Sequence, residues 1–345
     1  AFLGLGEAGD GTLRAEKLFV ERAGNALEIC HRLTALPPAA FGRGSAVALG
    51  FFDGVHIGHR AVISAAVDCA RAEGLEAAVF TFSLPAGHIM KGGRLITDGE
   101  KHRRIEELGA DRFFEPPFEE FCDLSPEAFV GDVLRGMYNA KAVFCGDNFT
   151  FGKKAAGNVA ALKALCAPLG IRVEVVPMAL YKGETVSSTR IRAALAAGDI
   201  RAANAMLGRP YAIDFEVRHG KGLGHTLGMP TLNQVYPEGF AHPRYGVYVT
   251  RALVEGAWHP GATGFGERPT VNKTGEGATC ETFLPGFSGQ LYGERVTVEF
   301  LDYIAESRRF DSTDQLRDAV MGWARQAVAW FQKEAGTGEE HEQAR

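Results

Sequence analysis

The chain has no excess of positive charge: 37 Lys and Arg stand against 42 Asp and Glu, a net charge of −5. A surface that holds DNA or RNA needs a basic stripe, so no nucleic-acid partner is expected. No apolar run reaches the ~18 residues that cross a bilayer, so no membrane partner is expected either. Cysteine is sparse and scattered, with Cys30, Cys69, Cys122, Cys145, Cys166 and Cys280 at irregular separations and no C-x-x-C pair. This argues against a metal cluster or disulfide framework and for free, buried thiols in a reducing, cytoplasmic compartment. The Gly-rich start, residues 1–14, lacks the basic region and apolar core of a secretory leader. Together with the polar tail 336–345, it is expected to be disordered, having little to bury.

What is present suffices for two domains. From Ser45 the chain alternates short apolar runs (46–52, 77–82, 110–114, 141–145 and 171–176) with helical stretches such as 60–73 and 98–108. Ser125-Pro126 offers a cap residue followed by Pro at the favoured first helical position. Strand and helix in alternation predict α/β architecture, a doubly wound, Rossmann-like parallel sheet with its ligand at the carboxyl ends of the strands. After Gly208-Arg209-Pro210 the pattern changes. Strand-like runs at 213–218, 246–254, 279–284 and 295–303 are separated by Gly- and Pro-rich turns, and a helical pattern follows over 311–332. An antiparallel β-barrel closed by one terminal helix fits this half. The expected domains are 15–200 and 209–333.

The segment 51–59, FFDGVHIGH, follows the first strand and leads into a helix. Its two histidines lie three apart and so point to one side, while the helix N-terminus adds free N–H groups. Gly54 and Gly58 would let a phosphate approach the backbone. H-x-G-H in this setting is the signature of transferases that act at the α-phosphate of a nucleotide. Downstream, Ser187-Ser188-Thr189-Arg190-Ile191-Arg192 offers hydroxyls and guanidiniums at a helix start, suited to the other phosphates and the departing pyrophosphate. Asn148, in the GDNFTFG stretch 146–152, follows a strand and would face the same crevice.

In the second half, VRHGKGLG (217–224) can wrap phosphates with backbone N–H groups, although such turns are common in barrels. LGMPTLN (227–233) places Thr231 and Asn233 two apart on one side of an extended chain, as hard oxygen ligands for Mg²⁺. ERPT (267–270), ETF (281–283) and LYG (291–293) follow in order.

FFDGVHIGH, LSPEAFV (124–130), GDNFTFG and VSSTRIR (186–192), followed by this second set, closely resemble bacterial bifunctional riboflavin kinase/FAD synthetases. The resemblance implies a nucleotidyltransferase domain and a riboflavin-kinase-like barrel, with riboflavin, FMN, FAD and ATP as substrates or products and Mg²⁺ as cofactor. In the first half it implies an ATP-binding set of Gly50, Phe52, Asp53, Gly54, His56, His59, Asn148, Ser188, Thr189 and Arg192. In the second it implies Gly220, Lys221, Gly222, Gly224, Thr231, Asn233 and Arg268 for ATP and flavin, Thr231 and Asn233 as metal ligands, and Glu281 as catalytic base. The kinase half departs from the common family pattern at His225, Gly264, Phe283, Ala305 and Ser307. An FAD synthetase whose barrel binds flavin without phosphorylating it therefore stays open as the alternative.

The two reactions differ in what they need. The riboflavin 5′-hydroxyl is neutral and must lose a proton as it attacks the γ-phosphate of ATP. The FMN phosphate is already anionic when it attacks the α-phosphate, so that site needs positioning and charge stabilisation. A carboxylate in the barrel and imidazoles in the α/β half match this difference.

Overall fold

The structure, a computed structural model, describes residues 27–33, 42–84, 90–220, 229, 231–267 and 277–342. The chain packs as two compact units, one within Ala1–Phe51, Ile63–Ala86 and Gly109–Val175, the other within Phe52–Val62, Gly87–Leu108 and Val176–Arg345.

The first unit is built on a six-stranded sheet. Its strands are β1 (Glu28–Cys30), β2 (Ser45–Leu49), β3 (Glu76–Phe80), β4 (Arg112–Phe114), β5 (Ala140–Gly146) and β8 (Arg172–Val176), in the order β1-β4-β3-β2-β5-β8. The pairs β1–β4, β4–β3, β3–β2 and β2–β5 are parallel. Every residue of β2, Ser-Ala-Val-Ala-Leu, is buried, as a parallel strand covered on both faces requires. Its core includes Phe80, Phe114 and Tyr138, the last two stacked with centroids 4.3 Å apart. Ser125 caps the helix α3 (Pro126–Ala128) by accepting from Ala128 N, and a π-helical stretch, Phe129–Met137, continues it. Strands β6 (Thr150–Phe151) and β7 (Gly157–Asn158) form a small ladder before α4 (Val159–Cys166). β2 lies between β3 and β5, where the winding reverses and α/β sheets bind ligands. The chain leaving β2 at that point enters the H-x-G-H turn.

Helix α1 spans Ile57–Glu73, starting three residues before the apolar pattern that begins at Arg60. His59 therefore lies in its first turn and His56 just ahead of it. In the second unit, α2 (Asp98–Glu107) is capped by Thr97, its Oγ1 accepting from Glu100 N. The β9–β10 hairpin (Leu180–Tyr181, Glu184–Thr185) precedes α5 (Ser188–Ala197) and α6 (Ile200–Leu207).

The barrel strands are β11 (Tyr211–Ile213), β12 (Val217–Arg218), β13 (Thr231–Val235), β14 (Gly246–Val254), β15 (Ala257–Glu267), β16 (Ala278–Phe283) and β17 (Thr297–Ala305). They pair antiparallel in the order β11-β17-β14-β15-β16-β13-β12. β11 and β12 lie at the two edges of the sheet, separated only by residues 214–216, and Val217 N donates to Glu294 O at 2.8 Å while Val296 N donates to Phe215 O at 3.3 Å, drawing the edges together. Gln234 pins the seam, its Nε2 donating to Phe215 O at 2.7 Å and Val296 O at 2.8 Å. Strands β13 and β15 add to those expected; Pro260, Gly261, Gly264 and Gly266 give β15 the look of a turn in sequence. The interior face carries a chain of buried hydroxyls, Thr250–Thr263–Thr282, at 2.8 and 2.7 Å. The opposite face is covered by the terminal helix α7 (Thr313–Glu342): Val249, Leu301 and Ala327 form one cluster, Met229, Phe283 and Ala324 another.

Candidate active sites

The H-x-G-H turn is wound into an unusual shape. Phe52, Gly54 and Val55 all have positive φ (54°, 84° and 39°), and Val55 N donates to Phe52 O at 3.2 Å. Gly54 is required there, since a Cβ would also meet Leu95 Cδ1 at 2.7 Å. Gly58 has less room than a phosphate-approach role supposes, as a Cβ there would lie 3.3 Å from the His56 ring. His56 O accepts the first helical bond, from Arg60 N at 2.9 Å, and His56 Nδ1 accepts from His59 N at 3.3 Å. With Nδ1 accepting, the proton of a neutral His56 ring sits on Nε2, which is left as a donor. The two rings stack with centroids 3.5 Å apart, and Phe52 meets His59 edge-on at 5.4 Å. His59 Nδ1 is sealed from solvent and has no hydrogen-bond partner among the described residues.

Burial, with the nearby Arg209 charge, pushes His56 down to about 4 and holds His59 well below the usual range. Both imidazoles are thus neutral at pH 7. The unfolded chain, with an ordinary histidine, takes up its proton first as pH falls. His56 therefore contributes stability that is full above pH 6.5 and is lost toward pH 4, about 3 kcal/mol over that range. Urea unfolding of the wild type and His56→Gln at pH 7 and pH 4.5 checks this: the variant should lose distinctly less stability on acidification.

Ser187 caps α5 by accepting from Arg190 N at 3.2 Å, and Ser188 Oγ donates to Asp53 O at 2.9 Å, tying the helix start to the turn. The Asp53 carboxylate, 6% exposed, accepts from Leu95 N at 2.9 Å and pairs with Arg192. Burial raises the Asp53 pKa from its ordinary value, opposed by the Leu95 amide and the Arg192 charge. Arg192 Nε also donates to Gly93 O at 2.6 Å. Arg190 is likewise engaged, donating to Glu184 O and Tyr181 O at 2.8 and 3.0 Å. The structure thus gives both guanidiniums protein partners and leaves Thr189 exposed at the start of the helix. Gly50, which donates to Phe80 O, and Asn148, exposed beyond β5, belong to the first unit.

In the barrel, register does the assembling. Asn233 lies opposite Glu281, and Glu281 opposite Gly264; one step along, Thr231 lies opposite Phe283. Side chains two apart on a strand share a face, so Thr231, Asn233 and Glu281 stand together. Asn233 Nδ2 donates to Thr231 O and Oγ1, both at 3.3 Å. The backbone at Gly220 packs so closely on Asn233 that a Cβ would lie 2.5 Å from Nδ2. Gly264 leaves the space beside Glu281 open: a Cβ added there would meet only Glu281 O, at 4.0 Å. Phe283 is buried against Met229 and Ala324. Lys221, Gly222, Gly224 and Arg268 lie outside the described residues.

Among the described residues no cluster of three or more His, Cys, Asp or Glu could hold a metal. Thr231 and Asn233 offer neutral oxygens only, which fits Mg²⁺ completed by phosphate oxygens and water. All six cysteines are free, and burial pushes Cys30 up to about 12. No described helix is long and apolar enough to cross a membrane.

Two features of the first site carry no signal in the sequence. The 93–95 segment braces it: Gly93 receives Arg192 while Arg94 N donates to Gly239 O at 2.7 Å. Arg209, in sequence only part of a boundary, donates to Gly54 O at 2.7 Å and Val55 O at 3.2 Å. In both cases the partners are far apart along the chain.

Comparison with known proteins covers both halves. The FAD synthetase family matches residues 39–190 and the riboflavin kinase family residues 207–331. The bifunctional riboflavin kinase/FMN adenylyltransferase of Bacillus subtilis is 33% identical over 300 residues, covering 83% of this chain and 92% of its own. That of Haemophilus influenzae is 34% identical over 295 residues, covering 84% and 95%. A crystal structure from Streptococcus pneumoniae, named a macrolide-efflux protein, superposes with a TM-score of 0.75 at 29% identity, covering 85% of this chain and 97% of its own. The chain belongs to the bifunctional riboflavin kinase/FMN adenylyltransferase family.

Proposed function

We propose that this enzyme phosphorylates riboflavin at the Thr231–Asn233–Glu281 row and adenylylates FMN at the H-x-G-H turn, in the cytoplasm, with Mg²⁺ in support of both steps. The single observation that carries the reading is the register that sets Glu281 directly opposite Asn233. It unites a base with the hard oxygens that phosphoryl transfer needs. Domains 15–200 and 209–333 divide the two labours.

In the kinase step Glu281 accepts the 5′-hydroxyl proton as the oxygen bonds to the γ-phosphorus, and the bond to the ADP oxygen breaks. Bound Mg²⁺, held by Thr231 and Asn233, would neutralise charge on the phosphates. Gly220, whose backbone packs against Asn233, belongs to the phosphate and flavin side of this row. In the second step an FMN phosphate oxygen attacks the α-phosphorus and pyrophosphate leaves. The neutral His56 ring, a donor at Nε2, and His59 beside it stabilise the charge gathering on the α-phosphate. Ser188, Thr189 and the Asp53–Arg192 pair, with Phe52 and Gly54, shape the ATP site.

The test is a chromatographic time course of riboflavin, ATP and protein with Mg²⁺ and with excess chelator. FMN should appear before FAD with Mg²⁺, and neither with chelator. Conversion of supplied FMN to FAD without any FMN from riboflavin would favour the monofunctional alternative, for which Phe283 and Gly264 are the motivating departures.

A further inference from the structure

We propose that Arg209 is a positioning residue of the adenylylation site, holding the H-x-G-H turn in the shape that presents His56 and His59 to the nucleotide. The residue lies in the stretch that matches riboflavin kinase, 207–331, yet its guanidinium rests on a turn that belongs to the FAD synthetase match, 39–190. The inference rests on the assignment of adenylylation to His56 and His59.

The turn needs an external hold. Positive φ at Phe52, Gly54 and Val55 puts three of four residues in left-handed backbone, and Val55, being β-branched, is poorly suited to it. Such a conformation persists only where its surroundings over-determine it. Arg209 supplies the constraint: Nη2 donates to Gly54 O at 2.7 Å, and Nη1 to Val55 O at 3.2 Å and Leu207 O at 3.4 Å. A planar fork with several donors spans adjacent carbonyls as no ammonium can. Asp53, at the other end of the turn, is held by Leu95 and Arg192, so the turn is fixed from both sides.

The surroundings of Arg209 are unfavourable to a cation. Burial comes first, followed by Arg104; Arg60 and Arg103 add repulsion, with Glu100 opposing, and together they bring Arg209 down to about 10. It remains charged at neutral pH, and that charge also disfavours protonation of His56 and His59. Arg60 Nη1 donates to Gly208 O at 3.4 Å, further anchoring the segment.

The experiment compares Arg209→Met and Arg209→Lys in the full chain, following both reactions and the pH dependence of FMN adenylylation. Arg209→Met should lower the adenylylation kcat by about 10²-fold, with KM for ATP changed little and riboflavin phosphorylation near wild type. Its acid limb should move upward, because a charge that adds to burial in keeping the histidines neutral is gone. Arg209→Lys should keep the acid limb in place, by retaining the charge, while kcat stays depressed for want of the fork. A wild-type kcat and unmoved acid limb in Arg209→Met would overturn the inference without touching the histidine assignment, which His59→Ala tests by itself. Wild-type kcat in Arg209→Lys, or equal loss of both reactions in both variants, would also overturn it.

Discussion

Replacing His59 with Ala is expected to lower conversion of FMN to FAD by at least about 10²-fold, with FMN formation from riboflavin unchanged within about twofold. The loss has two sources. A ring whose Nδ1 is sealed without a partner among the described residues is removed, and with it the surface on which His56 stacks at 3.5 Å. His56 then loses the packing that fixes where its Nε2 donor points, and a misplaced donor contributes little to stabilising the α-phosphate. The fold should tolerate the change, because His59 lies in the first turn of α1 and Ala favours a helix. Liquid chromatography of the flavins after incubation with Mg-ATP reads both reactions in one sample. FAD formed at the wild-type rate would remove His59 from the site.

Glu281→Gln should do the reverse, lowering riboflavin phosphorylation by about 10²–10⁴-fold while adenylylation of supplied FMN continues. The amide keeps the shape of the side chain and its place opposite Asn233, so the loss reads proton acceptance rather than packing. Glu281 is exposed, and surface substitutions usually change stability by no more than about 0.5 kcal/mol. The adenylylation rate is indifferent because its attacking phosphate needs no deprotonation. Phosphorylation at the wild-type rate in this variant would show that another group, or none, takes the hydroxyl proton.

Much of this organisation is legible from local signals. The apolar run of β2, the Ser125-Pro126 cap and the H-x-G-H spacing each rest on neighbours in sequence, and each stands where local chemistry places it. What lies beyond reach is pairing over distance. Arg192 looks like a phosphate ligand in sequence, yet its partner in the folded chain is Asp53, 139 residues away. Nothing around Arg209 announces its bonds to Gly54 and Val55, because a boundary segment and a nucleotide turn share no periodicity. The β15 strand is hidden by its own glycines and proline, which read as turns until partners on both sides supply the ladder. The Thr231–Asn233 spacing is visible, but that Glu281 stands opposite Asn233 depends on register, which single-strand patterns do not specify.

The most direct measurement is complementation between the two variants. His59→Ala and Glu281→Gln are each given riboflavin and Mg-ATP alone, then mixed at equal concentration. If two separate sites each transfer one group from ATP, neither variant alone makes appreciable FAD, and the mixture does, through FMN released by one and taken up by the other. A mixture as inactive as its components would contradict two independent sites on this chain.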